Sequence, residues 1–325
     1  MYANTAGCLG KVPNHGDFVR HRASTPTMRA FDEWLRKGLY HARQHERSDW
    51  KVRYDQAPSI RFLFWGDRPQ APNALLGVLR PSRDKSGRTY PFLVTCELPA
   101  DALMVRHLPH LPVRATSFYK AAEAVVARAT AGDIPYEEIP TVVEEMEPKV
   151  ALRPTVPREH RRYLKNETLG TYLEAIFGHF DGSEKYRLFS NLLDVLLPLQ
   201  NGTPIHLNYG LEFPLHPNSE RRIDVASFWL DLVLRILDYP PIHPSVFWTE
   251  PEDKAESSRM DLFLDAPEPT SLFGILAPSR ANGQLYLLRV EGEKSPADAA
   301  LSIPERYGTL LDNEQIRLWD FLRRL

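Results

Sequence analysis

Residues 75–91, LLGVLRPSRDKSGRTYP, carry an apolar strand pattern into a charged turn and out into a second strand, and residues 272–286, LFGILAPSRANGQLY, repeat the same order. Leu75/Leu272, Gly77/Gly274, Leu79/Leu276, Pro81/Pro278, Ser82/Ser279, Arg83/Arg280, Gly87/Gly283 and Tyr90/Tyr286 correspond, with one residue fewer between the Arg and the second Gly in the later copy. Self-similarity of this kind constrains a fold more than a single motif does, because it says how many times one structural unit is built. Both halves also read as strand, helix, four strands, helix, and Leu-Phe recurs at 63–64 and 262–263. The expected fold class is therefore α/β, with two αβα-sandwich halves whose sheets are mixed or antiparallel and which are related by internal duplication. Two unrelated meanders sharing turn residues are the alternative.

The expected domains are residues 1–135, a Pro-rich linker at 136–170, and residues 171–325. In the first, Ala6–Val12 reads as a strand ending in the turn K-V-P-N-H-G-D-F, and Thr25-Pro26 opens a helix with Met28, Phe31, Trp34, Leu35 and Leu39 at helical spacing. Strands are expected at Trp50–Tyr54, Ile60–Trp65, Leu75–Arg80 and Tyr90–Leu98, and a helix at Thr116–Ala131 closed by Gly132. In the linker an acidic cluster (Glu144, Glu145, Glu147) is followed by a basic one (Arg158, Arg161, Arg162), and only Thr141–Val143 suggests a strand. Beyond it the pattern predicts a helix over Ser183–Leu197, a strand over 205–213, a helix capped by Asp224, strands at 245–249, 260–264, 272–276 and 284–290, and a last helix from Asp312.

A hydrophobic content of 43% and a charged content of 25% are those of a folded globular chain. The formal net charge of −2 gives no long-range attraction to nucleic acid or anionic lipid. Cys8 and Cys96 form no C-x-x-C pair, which fits a reducing compartment and excludes a cysteine-based zinc site. No export signal or membrane anchor is read, so cytoplasm is the expected location.

Phosphate-loop, dinucleotide-fingerprint, nucleophile-elbow and zinc-helix motifs are all missing from the sequence. His15-Gly16-Asp17 could orient an imidazole, yet no Ser or Cys nucleophile is tied to it by spacing, and the other histidines lack ligand spacing. No metal or other cofactor is expected. Ser82–Arg88, SRDKSGR, has the composition of an anion-binding loop. It reads equally as a solvated hairpin with a local Asp84–Arg88 pair contributing ~0–1 kcal/mol. The later copy keeps Pro-Ser-Arg and Gly but has Ala281, Asn282 and Gln284 in place of charges, so Asp84, Lys85 and Arg88 are expected to be dispensable for making the turn.

G-K-V-P-N-H-G-D-F (Gly10–Phe18), F-D-E-W-L (Phe31–Leu35), F-L-F-W (Phe62–Trp65) and P-S-R-D-K-S-G-R-T-Y-P (Pro81–Pro91) together resemble the TagF (ImpM) family of type VI secretion system accessory proteins. The second half resembles its longer members loosely, through L-E-F-P-L at 211–215, S-F-W-L at 227–230 and S-V-F-W at 245–248. The resemblance implies a cytoplasmic, three-layer αβα protein without catalytic chemistry, a post-translational regulator and usually a repressor. It also implies binding to an FHA-domain activator or a sheath subunit. Some members are fused to a Ser/Thr phosphatase, for which two occupied halves leave no expected room. The partner-binding surface is expected at Lys11, His15, Asp17, Phe18, Ser82, Arg83, Asp84 and Arg88. The runner-up is an anion- or nucleotide-sensing domain, or a weak hydrolase, using the same Lys11–Asp17 and Arg83–Arg88 turns.

Overall fold

Residues 74–79, ALLGVL, are apolar at consecutive rather than alternate positions, which requires a sheet covered on both faces. The computed structural model describes residues 5–45, 50–67, 71–100, 103–146, 150, 155–200, 207–249, 258–276, 284–289 and 296–325. Its strands are β1 (Ala6–Lys11), β2 (Phe18–His21), β3 (Ile60–Phe64), β4 (Ala74–Arg80), β5 (Phe92–Leu98), β6 (Gly210–Pro214), β7 (Ser245–Thr249), β8 (Arg259–Phe263) and β9 (Leu285–Leu287). They form one sheet in the order β2-β1-β5-β4-β3-β7-β8-β6-β9. Every pairing is antiparallel except β6 with β9. The α/β class and the mixed sheet are as expected.

Two separate sheets are not found. β3 and β7 pair directly, with Phe62 opposite Phe247 and Leu63 opposite Val246. At the end of this seam the Ser245 hydroxyl accepts from Trp65 N at 2.8 Å and donates to Trp65 O at 3.1 Å. Removing both bonds from a buried site costs about 1–3 kcal/mol, so Ser245→Ala is expected to lower the unfolding free energy by that amount, read as a lower urea midpoint with an unchanged m-value. An undiminished midpoint would mean that the seam does not depend on this bridge.

The duplication fails on two counts. The first half orders its strands 2-1-5-4-3 and the second 7-8-6-9, and Leu272–Leu276, matched to strand β4 by sequence, is a helix. Pro278, Ser279, Arg280 and Gly283 lie outside the described residues. A five-residue apolar run is ambiguous between strand and buried helix, and tertiary contacts decide here. The Arg259 guanidinium donates to Gly274 O and Ile275 O, both at 2.8 Å, satisfying carbonyls at the helix end. At β4, by contrast, Gly77 faces Phe62, whose ring would stand only 2.3 Å from a Cβ at this position, so the strand needs glycine there.

The helices are α1 (Pro26–His45), α2 (Trp50–Gln56), α3 (Leu111–Arg114), α4 (Thr116–Ala131), α5 (Ile139–Glu144), α6 (Arg158–Asn166) and α7 (Leu169–Phe177). Then follow α8 (Glu184–Leu199), α9 (Ser219–Ile236), α10 (Leu272–Leu276), α11 (Pro296–Ser302), α12 (Glu305–Leu311) and α13 (Leu318–Arg324). One sheet face, with Phe62, Phe64, Leu75, Leu79, Leu93, Phe247 and Phe263, is covered by α1 and α10. The other, with Leu63, Leu76, Val78, Val94, Trp248 and Leu262, is covered by helices that include α4 and α9. The result is one three-layer sandwich.

Three local expectations are corrected. Trp50–Tyr54 is helical, with Tyr54 alone buried, and Thr141–Val143 lies within α5. The helix expected from Asp224 starts nearer the N-terminus, at Ser219, capped by Asn218 accepting from Glu220 N at 2.9 Å. Within 136–170, the expected linker, Ile139, Val143, Tyr163 and Leu164 are buried in the shared core.

Candidate functional site

β1 pairs with β2 on one side and with β5 on the other, so the turn after β1 and the turn before β5 emerge at the same end of the sheet. Gly10 permits this approach: its φ is +142°, and a Cβ there would stand 2.2 Å from Pro91 O and 2.5 Å from Phe92 Cα. The two turns are then joined by hydrogen bonds. Lys85 N donates to His15 O at 2.9 Å and Arg88 Nη2 to Gly16 O at 2.5 Å.

Asp84 organises the junction. Its Oδ1 accepts from Ser86 N and Arg88 N, both at 2.9 Å, and its Oδ2 from Lys11 Nζ and Arg88 Nε, both at 2.7 Å. The Asp84 side chain is fully covered while that of Arg88 is 61% exposed, so the carboxylate is sealed by its own partners at the rim of the fold. Burial pushes the Asp84 carboxyl up, but the Lys11 ammonium and the Arg88 N–H and guanidinium outweigh it and hold the group well below the usual carboxylate range. The expectation that Asp84 is dispensable for the turn is therefore overturned. Four donors from two turns converge on it.

Beside this junction, Phe18 meets Tyr90 edge-on at 4.9 Å, with the cations of Arg20, Lys11 and Arg36 at 5.0, 5.2 and 5.9 Å from its ring. Tyr90 Oη donates to Asp32 Oδ1 at 2.5 Å, and Arg36 binds both Asp32 oxygens at 3.0 and 2.7 Å. Burial, with Asp32 beside it, pushes the Tyr90 phenol far above its ordinary value, so it stays protonated. Arg83 pairs with Asp55 at 2.5 Å. Tyr54 Oη sits between Ser82 N and Ser82 O, each at 3.1 Å. On the opposite side, Asn14 Nδ2 donates to Ile134 O at 2.8 Å and His15 stacks on Tyr136 at 3.8 Å.

The structure thus brings all eight expected residues together and sorts them. Asp17, Arg83 and Arg88 are exposed, and His15 and Phe18 are half-buried. Lys11, Ser82 and Asp84 are buried, which corrects their assignment as partner-facing: they shape the surface from beneath. Asp17 Oδ1 accepts from Phe18 N at 2.7 Å, closing its own turn. Asp32, Arg36, Asp55 and Tyr136 also belong to this face. The Asp32/Arg36 pair had a signal in its i,i+4 spacing on an amphipathic helix, whereas Asp55 and Tyr136 arrive through tertiary packing alone.

Among the described residues no group of three or more His, Cys, Asp or Glu is placed to hold a metal ion, and no helix is long and apolar enough to cross a membrane. A cavity of about 910 Å³ lies elsewhere, between α1 (Arg29, Trp34, Lys37) and the loop carrying Asp265 and Glu268.

Residues 7–146 match the family model described as TagF N-terminal domain, Type VI secretion system-associated. No curated protein sequence matches significantly. Among solved structures, the chain is similar to the crystal structure of PA0076 from Pseudomonas aeruginosa PAO1, at 17% identity and a TM-score of 0.46, over 85% of this chain and 95% of that one.

Proposed function

We propose, from the match of residues 7–146 to the TagF N-terminal domain, Type VI secretion system-associated, that the protein is a cytoplasmic, non-enzymatic regulator of such a system. It acts as a post-translational repressor by binding an FHA-domain activator or a sheath subunit. The working surface is the face formed by Asp17, Phe18, Arg83 and Arg88.

The observation that supports this reading most is the locking of two distant turns through Asp84. A surface held rigid before binding loses less entropy on association, and one mixing both charge signs around an aromatic suits a protein partner. The same contacts weigh against the anion-sensing alternative. Lys11 and Arg88 are engaged by Asp84, and Arg83 by Asp55, so a phosphate would have to displace two carboxylates. Thermal melts with inorganic phosphate and ATP are the check on that alternative. A dose-dependent rise, as expected for a ligand selective for the native state, would revive it.

The direct test compares Arg83→Ala and Phe18→Ala with Lys120→Ala at an exposed position of α4, scoring secretion and pull-down of purified activator and sheath subunits at matched expression. Each of the first two is expected to weaken binding by ~1–3 kcal/mol, the range of interface anchors, and to raise secretion. Lys120→Ala is expected to change neither. Unaltered binding in both patch variants would remove this face as the working surface.

A further inference from the structure

Helix α6 presents Arg158, Arg161, Arg162 and Lys165 at i, i+3, i+4 and i+7, a spacing that puts all four on one side. All four are exposed, while His160, Tyr163 and Leu164 on the opposite side are buried. At the turn junction the exposed or rim cations Arg36, Arg83 and Arg88 each have a carboxylate partner, but among the described residues no carboxylate pairs with any of these four. They line a depression of about 560 Å³ in which Glu159 is the acidic member. Half-buried Trp319 of α13 packs against this helix, with the cations of Arg161 and Lys165 at 5.7 and 5.5 Å from its ring.

We propose that the α6 stripe with Trp319 is a second interaction surface, one that receives a short acidic segment of a partner protein. Four cations in one row, without a carboxylate partner among the described residues, impose mutual repulsion that an incoming anion relieves, and the neighbouring indole supplies a flat apolar wall beside them. The stripe is roughly 10 Å long at 1.5 Å per residue, the span of about three extended residues. A long polyanion fits poorly. The adjoining depression of about 430 Å³ is lined by Glu159, Glu167, Glu220 and Asp224 together with Arg162 and Arg221, so carboxylates border the stripe on the α9 side. The net charge of −2 likewise disfavours nucleic acid or an anionic membrane. This surface is independent of the turn junction and stands whether or not that face binds a secretion component.

The experiment is fluorescence anisotropy of labelled hexaglutamate with the full chain, at low and at physiological ionic strength. The comparison variants are Arg158→Gln/Arg162→Gln and, separately, Trp319→Leu, each first shown to melt like the parent. The expected result is salt-sensitive binding by the parent and a loss of about tenfold or more in the double glutamine variant, as for truncated charge contacts at an interface. Trp319→Leu is expected to weaken binding to a smaller degree. Absence of hexaglutamate binding at low salt, or equal binding by the double variant, overturns the proposal. So does tighter, stripe-dependent binding of a short DNA duplex or of phosphatidylserine vesicles, which would assign the stripe to a different anion.

Discussion

Replacing Asp84 by alanine is expected to destabilise the protein by about 3–5 kcal/mol, the cost of removing one member of a buried ion pair and stranding the other. Lys11 is the stranded member. Its side chain is 8% exposed and its ammonium lies 2.7 Å from Asp84 Oδ2. The Ser86 and Arg88 N–H groups lose their acceptor in the same step. Asp84→Asn keeps an oxygen for those N–H groups but not the charge opposite Lys11, so it is expected to fall between the parent and the alanine variant. Lys11→Met combined with Asp84→Ala is expected to be less destabilised than the sum of the single changes, because the unpaired charge is gone. Strict additivity would show that the two groups do not interact.

The same carboxylate makes a prediction about acid. Its folded-state pKa is depressed, so its stabilising contribution is fully present above the unfolded carboxylate value of ~3.9 and is lost as the pH falls from there towards the folded value. In urea titrations the stability gap between the parent and Asp84→Asn is therefore expected to be level from neutral pH down to about pH 5 and to narrow below about pH 4. A gap that widened in acid would contradict the depressed pKa.

Local chemistry made parts of this fold legible, and distant contacts hid others. α4 spans Thr116–Ala131 as its apolar spacing predicts, with Gly132 at φ +83° closing it, and α1 opens on Thr25, whose Oγ1 accepts from Met28 N. β3, β4, β5, β7 and β8 lie within a residue or two of their expected limits because each is a dense apolar run beside turn residues. The alternation over 205–213 yields a strand only at Gly210–Pro214, with 201–206 outside the described residues. Trp50–Tyr54 and Leu272–Leu276 were too short for periodicity to decide. At the site, the two turns were recognisable as motifs and do meet. The burial of Asp84 was not visible, since Arg88 four residues on reads as a local exposed pair while Lys11 is 73 residues away. Asp224 is a similar case: expected as a cap, it faces His160 at 2.7 Å instead.

Trp34→Ala is expected to cost about 3–5 kcal/mol, as a large aromatic deleted from a core, and to do so for the whole protein at once. The indole is 5% exposed and lies 5.5 Å from each of Phe31, Phe64 and Phe247. Phe31 is on α1 and Phe64 on β3, but Phe247 belongs to β7, beyond the seam. One side chain therefore ties the first helix to strands from both halves. Two further details bear on the magnitude. Trp34 lines the cavity of about 910 Å³, so the space vacated on truncation opens towards solvent and can fill with water, which favours the lower end of the range. Its Nε1–H is buried without an acceptor among the described residues, so Trp34→Phe removes an unsatisfied donor and is expected to cost under ~1.5 kcal/mol, in the range of tolerated apolar exchanges. Denaturation followed in parallel by tryptophan fluorescence and far-ultraviolet circular dichroism is the measurement. Coincident curves, shifted together by Trp34→Ala, are the signature of one cooperative unit. Two transitions with only the first displaced would mean that residues 1–135 and 171–325 unfold separately despite the shared sheet. A loss under ~1 kcal/mol would place the indole outside the core. The β3–β7 pairing favours the single transition, because separating the halves would bare the edges of two fully buried strands, Ile60–Phe64 and Ser245–Thr249.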